Sequence, residues 1–442
     1  GVEALHCFEK MKLEGIYPDA VTFASALKAC GTIGALESGQ EIHIEIPPRY
    51  LEKYFFLGNA VVDMYLKCGS FVKAKEVFDK LQQRDLAPWH ALIAGYAERG
   101  DSKQVMECVK CMQLEGVFLD SGAYVSMLKA CASTESMQKN QELHAEIMKK
   151  GFERDISVGN TLVDMYSKQG AVKEAHEIFD TLLVRDVVSW TALIAGYVEG
   201  NHPQEAIAFF DQMHVEGVSP NDVTLVCVLK SCVDMGAIYK GHEVHIDIMR
   251  KGFEGDVSIC NSLIDMYARC GSLPEAEGIF YNIPHRDLVS WNSMIRGYGM
   301  NHEVDIALHC FEEMHRHGIQ PDNITFTCLL YACSRAKLLH KGQDIFNMMI
   351  EEYAISPTID HYTCIVDLYA KSGCLVEIED FLDPVSGTSL WTALLTACKM
   401  HGERDIGNRC FQQLVCANPD QAAPYILMAK TYLSDDLLDD GS

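Results

Sequence analysis

The chain has 442 residues and a formal net charge of −25, from 62 acidic against 37 basic side chains. Its 48% apolar and 22% charged content is enough to bury a core and excludes a disordered tail. No apolar run approaches the roughly 20 residues of a membrane helix, and the acidic balance argues against nucleic-acid binding driven by bulk charge alone.

The chain opens in mid-helix pattern, Gly1-Val2-Glu3-Ala4-Leu5-His6-Cys7-Phe8, without the composition of a signal or transit peptide. Its 18 Cys are spread along the chain, which fits a reducing compartment rather than a disulfide scaffold. From residue 20 onward the chain repeats itself. Asp63-Met64-Tyr65 recurs at 164–166 and 265–267, each 101 residues on. Lys28-Ala29-Cys30 recurs at 129–131, as Lys230-Ser231-Cys232, and as Tyr331-Ala332-Cys333. Trp89, Trp190 and Trp291 keep the same step, as do His43, His144 and His245, and Trp391 follows 100 residues after Trp291. Words sharing one period mark a repeat architecture.

Each block of 101 divides into units of 35, 31 and 35 residues. The Lys-Cys units are 20–54, 121–155, 222–256 and 323–358. The short units, with Asp-Met-Tyr and a closing Arg-Asp, are 55–85, 156–186 and 257–287, and 359–387 is a further shortened copy around Asp383-Pro384-Val385-Ser386-Gly387. The Trp units are 86–120, 187–221 and 288–322. Residues 1–19 and 388–442 lie outside these units.

Apolar spacing within the units is helical. Val61, Met64 and Tyr65 share a face, and Val77 and Phe78 resume it after Gly69-Ser70. Gly69, Gly170, Gly271 and Gly373 mark matching turns, where a helix end favours positive φ. Each unit is therefore a helical hairpin, and hairpins that cannot bury both faces alone stack on one another. The expected fold is all-α: a right-handed α-solenoid superhelix of stacked helix-turn-helix repeats, not the three domains that length alone suggests. In 20–54, Pro47-Pro48 replaces the Met148-Lys149 of the sister unit, so its second helix should end early. The Cys column 30, 131, 232 and 333 reads as small core packing, and the Trp column as buried between repeats.

These unit lengths and words resemble the pentatricopeptide repeat proteins of plants, in particular the subgroup that alternates P, L and S repeats. The Lys-Cys, short and Trp units resemble L, S and P repeats. Gly15-Ile16-Tyr17-Pro18-Asp19 resembles the end of a P repeat. Trp391-Thr392-Ala393-Leu394-Leu395-Thr396-Ala397-Cys398, His401-Gly402, Asn418-Pro419-Asp420 and Tyr425 resemble the family's C-terminal E region. A generic tetratricopeptide solenoid, the runner-up, keeps a uniform unit of about 34 residues.

The resemblance implies sequence-specific binding of single-stranded RNA, about one base per repeat. With an E region it implies a specificity factor for C-to-U editing in a mitochondrion or chloroplast. The family's cytidine deaminase domain would follow Asp435-Asp436-Leu437-Leu438-Asp439-Asp440, so an editing role implies a deaminase-bearing partner, or a longer native chain, together with organelle editing accessory factors.

The family reads bases with the fifth and last residues of a repeat. In the short units these are Asn59/Asp85, Asn160/Asp186 and Asn261/Asp287, and in the Trp units His90/Asp120, Thr191/Asn221 and Asn292/Asp322. An amide or hydroxyl there can bond a base edge, while the last residue bonds the base or buttresses the first. By the family's rule Asn with Asp reads uracil and Thr with Asn reads adenine; His90/Asp120 fits no base. Thr327 and Thr363 are further polar fifth residues, whereas Ala24, Val125 and Val226 offer no hydrogen bond. The implied core, 5′ to 3′ along the chain, is U-x-x-U-A-x-U-U. Asn or Thr near a helix start also caps helices, a folding role that competes with this reading.

Eight residues beyond the short-unit fifth position stand Lys67, Lys168, Arg269 and Lys371, candidate phosphate contacts; the alternative is a helix-ending base that offsets the dipole. The family's aliphatic second residue, which flanks the base, appears as Val188 and Val289 but not at Ala87, Ser157 or Ser258, so stacking support reads as weak.

Catalytic words fail on context. His43-Ile44-Glu45 and His144-Ala145-Glu146 match half of a zinc deaminase signature, but the third copy is His245-Ile246-Asp247 and the word belongs to the repeat. Cys108-Val109-Lys110-Cys111 lies in another unit type, and His309, Cys310, His315 and His317 do not converge from one helix. No enzyme, cofactor, metal, membrane or small-molecule substrate is expected. The rival class is an α-solenoid scaffold for protein partners, which the acidic charge favours.

Overall fold

The structure, a computed structural model, describes residues 1–81, 84, 86–132, 137–372, 391, 392, 394–396, 398, 404–417 and 422–433. Asp85, Gly373, the segment 383–387, the words 401–402 and 418–420 and the tail 435–440 lie outside the described residues. The chain divides into two compact units, Gly1–Thr224 and Leu225–Ser442. Among the described residues there is no strand, and no helix is long and apolar enough to cross a membrane.

The hairpin reading holds in both units. The short repeats pair Phe55–Lys67 with Phe71–Lys80, Ile156–Lys168 with Val172–Thr181, and Val257–Arg269 with Leu273–Asn282. The Trp repeats pair Leu86–Glu98 with Ser102–Leu114, Val187–Glu199 with Pro203–Val215, and Leu288–Met300 with Val304–Arg316. The shorter period falls on the second helix, which has 10 residues in the short repeats and 13 in the Trp repeats. Gly69, Gly170 and Gly271 make the intervening turns with φ of 75°, 71° and 83°, a backbone region closed to most side chains.

In the Lys-Cys repeats the second helix runs Met137–Lys150 and Ile238–Lys251, but only Leu36–Glu45 in the first copy. Pro47 and Pro48 cannot donate to a continuing helix, and a separate turn, Pro48–Lys53, follows.

Successive first helices pack side by side. In the N-terminal unit they run from Ala20–Ile33 through Phe55–Lys67, Leu86–Glu98 and Ser121–Ala132 to Ile156–Lys168 and Val187–Glu199. In the C-terminal unit Val257–Arg269, Leu288–Met300, Asn323–Ala336 and Ile359–Lys371 do the same. The approach is close: a β-carbon on Gly297 would lie 2.5 Å from Ala268 Cβ on the preceding first helix.

The core lies between these layers. Val61, Met64 and Tyr65 are buried together, as is the whole Cys column. Trp89, Trp190 and Trp291 are buried edge-on against Phe78, Phe179 and Phe280, with ring centroids 4.6, 4.7 and 4.9 Å apart. The guanidinium groups of Arg84, Arg185 and Arg286 lie over the same Phe rings, at 5.1, 4.7 and 4.9 Å from their centroids. Their Nε atoms donate to the carbonyls of those Phe residues, closing the short helix. The Phe-…-Arg word is thus a staple at the exit of the short repeats 55–85, 156–186 and 257–287.

Candidate nucleic-acid interface

The residue after the staple is the start of the site. Asp186 caps Val187–Glu199: its carboxylate accepts from the backbone N–H groups of Val188 at 3.0 Å and Ser189 at 2.9 Å. The same oxygen accepts from Asn160 Nδ2 at 3.1 Å. Asp287 repeats the arrangement with Ser290 N at 2.8 Å and Asn261 Nδ2 at 3.2 Å, and Asp322 with Thr325 N at 2.9 Å and Asn292 Nδ2 at 3.1 Å. Burial pushes these three carboxyls up, but the backbone, hydroxyl and amide donors outweigh it and hold each below the usual Asp range.

The fifth and last residues therefore meet, and the capping alternative changes owner. Asn160, Asn261 and Asn292 lie inside their helices and cap nothing; the last residue caps the next helix and clamps the fifth residue with one carboxylate. His90 joins the set, with Nε2 2.6 Å from Asp120 Oδ1. The Thr191 hydroxyl lies 2.6 Å from Thr224 Oγ1 and 3.4 Å from Asn221 Oδ1, a looser version of the clamp. Asn59 is half-buried, and its partner Asp85 is outside the described residues. Thr327 and Thr363 donate to the carbonyls of Asn323 and Ile359 in their own helices, at 2.8 Å each, and are not drawn to a last residue.

One clamp opens onto a recess. In the C-terminal unit a groove of about 410 Å³ is lined by Val226, Lys230, Ser258, Asn261, Asp287 and Val289. Asn261 Oδ1 is buried there without a hydrogen-bond partner among the described residues. Its counterparts are occupied: Asn160 Oδ1 accepts from Ser189 Oγ at 2.6 Å, and Asn292 Oδ1 from Thr325 Oγ1 at 2.7 Å.

Second-position residues are more apolar and exposed than the sequence reading allowed. Beside Val188 and Val289, the exposed apolar side chains Val21, Phe56, Val223 and Ile324 hold the same position in their repeats. Val21, Val223 and Ile324 belong to the Lys-Cys repeats and Phe56 to the first short repeat, so counting the second residue of every repeat without exception finds them. Val223 and Ile324 stand two residues after the clamp residues Asn221 and Asp322, as Val188 and Val289 do after Asp186 and Asp287.

The basic column is exposed but not free of acid. Lys67, Lys168, Arg269 and Lys371 pair one turn back with Asp63, Asp164, Asp265 and Asp367, at 2.8, 2.7, 3.6 and 2.5 Å. The acid belongs to the Asp-Met-Tyr word and to its variant at 367, so the cation and its counter-charge recur together.

The dismissed catalytic words have structural partners. His43, His144 and His245 each lie within 3.1 Å of the hydroxyl of Tyr65, Tyr166 or Tyr267, tying a Lys-Cys repeat to the short repeat after it. Burial lowers the affinity of all three imidazoles for a proton. Cys108 and Cys310 are buried, with their thiols pushed up to about 12 by that burial. His309 lies 3.9 Å from both Glu312 and Glu313, and His317 packs against Trp291. Among the described residues no three His, Cys, Asp or Glu side chains converge as a metal site would require.

Stacked two-helix repeats, several of which present a clamped polar residue on the first helix, define a modular helical-repeat protein. A PPR repeat model matches 59–86, 87–117, 160–187, 258–288 and 324–353, and a PPR repeat family model matches 185–234 and 286–335. The chain belongs to the pentatricopeptide repeat family, whose repeats are non-enzymatic helical modules. A putative mitochondrial pentatricopeptide repeat-containing protein of Arabidopsis thaliana is 34% identical, over 97% of this chain and 70% of its own length. A chloroplastic one from the same plant is 35% identical, over 93% of this chain and 78% of its own. A third is 35% identical over 96% of this chain, which spans only 59% of that relative. For other relatives that share is 64% and 51%, so the chain spans about half to two thirds of several curated relatives. The fold is similar to that of the pentatricopeptide repeat protein PPR10, solved with an 18-nt psaJ RNA element, with a TM-score of 0.65 at 17% identity, covering 97% of this chain and 68% of that one.

Proposed function

We propose that this chain binds single-stranded RNA in a sequence-specific way, reading bases with its clamped fifth residues. The supporting observation is the split between repeat types. Asn160, Asn261 and Asn292 are held rigid by an Asp that also caps the next helix, whereas Ala24, Val125 and Val226 have no polar group to hold. Folding alone needs the cap but not the Asn. Solved relatives of the same fold include one in complex with an RNA element.

On this reading Asn59/Asp85, Asn160/Asp186, Asn261/Asp287 and Asn292/Asp322 select uracil, and Thr191/Asn221 selects adenine, while Thr327 and Thr363 contribute a hydroxyl without a clamp. Lys67, Lys168, Arg269 and Lys371 reach phosphates at the edge of the groove, sharing their charge with Asp. The repeat order, read as P, L and S types, and the C-terminal words from Trp391 onward support a specificity factor for C-to-U editing. Such a factor brings a deaminase-bearing partner and organelle editing factors to one cytidine. The chloroplastic and mitochondrial names of its relatives support an organellar site of action.

The test is a pair of short RNAs, one carrying U-x-x-U-A-x-U-U and one with its adenine changed to guanine. The first should bind about tenfold or more tightly, a difference of roughly 1.4 kcal/mol. Asn221→Asp should move the preference toward guanine. Equal binding of both strands refutes base reading, and binding of neither leaves the scaffold for protein partners as the function.

A further inference from the structure

The clamps explain how bases are told apart, but not what holds an anionic strand against a chain of charge −25. The short-repeat bases are poor candidates for the whole of that task, since each is already paired with an Asp on its own helix.

Among the described residues a second basic column has no such partner. Lys28, Lys129 and Lys230 stand one turn beyond the fifth residues Ala24, Val125 and Val226 of the Lys-Cys repeats. Four residues along a helix carry a side chain about 6 Å further on and nearly back to the same face. All three lysines are exposed. Among the described residues, none has a carboxylate within ion-pairing distance. At the same register the short repeats carry Asp63, Asp164 and Asp265, and the Trp repeats carry Ala94, Ala195 and Arg296. Lysine thus recurs where the fifth residue is apolar. Lys230 lines the same recess as Asn261 and Asp287, which puts it in the neighbourhood of a clamp.

Resting on the RNA-binding reading above, we propose that Lys28, Lys129 and Lys230 hold phosphates of the bound strand. The Lys-Cys repeats then grip the backbone of nucleotides whose bases they do not read. A compact ammonium on a flexible stem suits a phosphate as a point charge and carries no base preference. The fourth Lys-Cys repeat has Tyr331 in this position, so the grip covers three of the four.

The test is the salt dependence of binding of the U-x-x-U-A-x-U-U strand to the full chain. Each phosphate neutralised on a single strand contributes about 0.7 to the slope of log K against log salt. The variant Lys28→Gln/Lys129→Gln/Lys230→Gln should therefore lose about 2 from the slope and bind about tenfold to a hundredfold more weakly near 0.1 M salt. Its preference for adenine over guanine should stay intact. A control, Lys73→Gln/Lys103→Gln/Lys173→Gln, removes equal charge from exposed positions on second helices and should keep the wild-type slope. If the two variants behave alike, the lysines act only through bulk charge and the proposal falls. If the wild-type chain binds no strand, the proposed function fails, and this inference with it. If the wild type binds and the first variant keeps its slope, this inference alone fails.

Discussion

Two neighbouring hairpins, 121–155 and 156–186, show how one fold serves two tasks. Both end in an Asp that caps the next helix through backbone N–H groups: Asp155 holds Ser157 and Val158, and Asp186 holds Val188 and Ser189. In 156–186 the same carboxylate also takes the amide of Asn160. In 121–155 the fifth residue is Val125, and the Asp has nothing of that kind to hold. The charge one turn on is also inverted: Asp164 sits paired with Lys168, while Lys129 stands exposed. The cap belongs to folding and is common to both. The fifth residue and the charge beyond it are free to differ, and that is where a binding function is written.

The largest effect expected from this difference is in stability. Asp186→Ala should cost about 2–3 kcal/mol, the sum of a lost cap and a buried amide left without its acceptor. Asp155→Ala should cost only about 1 kcal/mol, the cap alone. Denaturant midpoints at unchanged m-value measure both. Equal losses would mean that the Asn160 bond contributes nothing. A smaller effect comes from converting one type into the other. In the Trp repeats Asn292 and Asp322 meet across 30 residues, the spacing of Val125 and Asp155. Val125→Asn should therefore find Asp155, with a coupling of about 1 kcal/mol in a cycle with Asp155→Ala. It should also give that repeat a new preference for uracil. A coupling near zero would show that spacing alone does not make a clamp.

Much of this was legible in the sequence because repetition turns a weak signal into a strong one. The 101-residue step, the hairpins, the Gly turns, the early end after Glu45 and the buried Trp and Cys columns all follow from words that recur in register. What escaped was contact geometry. That Asp186 and Asp287 serve two helices with one oxygen cannot be read from composition, because capping and clamping ask for the same residue. The pairing of Lys67 with Asp63 is legible in the i, i+4 spacing, and it takes part of the charge that a phosphate contact would use. The Arg84, Arg185 and Arg286 staples depend on a turn that brings Arg back over Phe, which no periodicity reports.

The joint between the two hairpin types gives the smallest prediction, and it is one of pH. His43, His144 and His245 on Lys-Cys repeats meet Tyr65, Tyr166 and Tyr267 on short repeats, always 22 residues on. Burial holds each imidazole below the ordinary His range, helped by Lys80 and Lys73 around His43 and by His242 beside His245, against Glu254. The unfolded chain, with an ordinary His pKa near 6.5, therefore binds more protons than the folded one below that value. Stability from this joint is fully present above about pH 6.5 and is lost as pH falls toward and through the lowered folded values. In the fourth Lys-Cys repeat Phe346 stands in the His column, and the Tyr hydroxyl is met from the register of His242 instead: Gln343 Nε2 donates to Tyr369 at 2.6 Å, as His242 Nδ1 lies 2.9 Å from the Tyr267 hydroxyl, so an amide can take an imidazole's place against this Tyr. Replacing all three His by Gln should keep the chain folded and flatten the fall in melting temperature between about pH 7 and about pH 5. A fall as steep as in the wild type would place the acid sensitivity elsewhere and leave the His–Tyr contacts as packing alone.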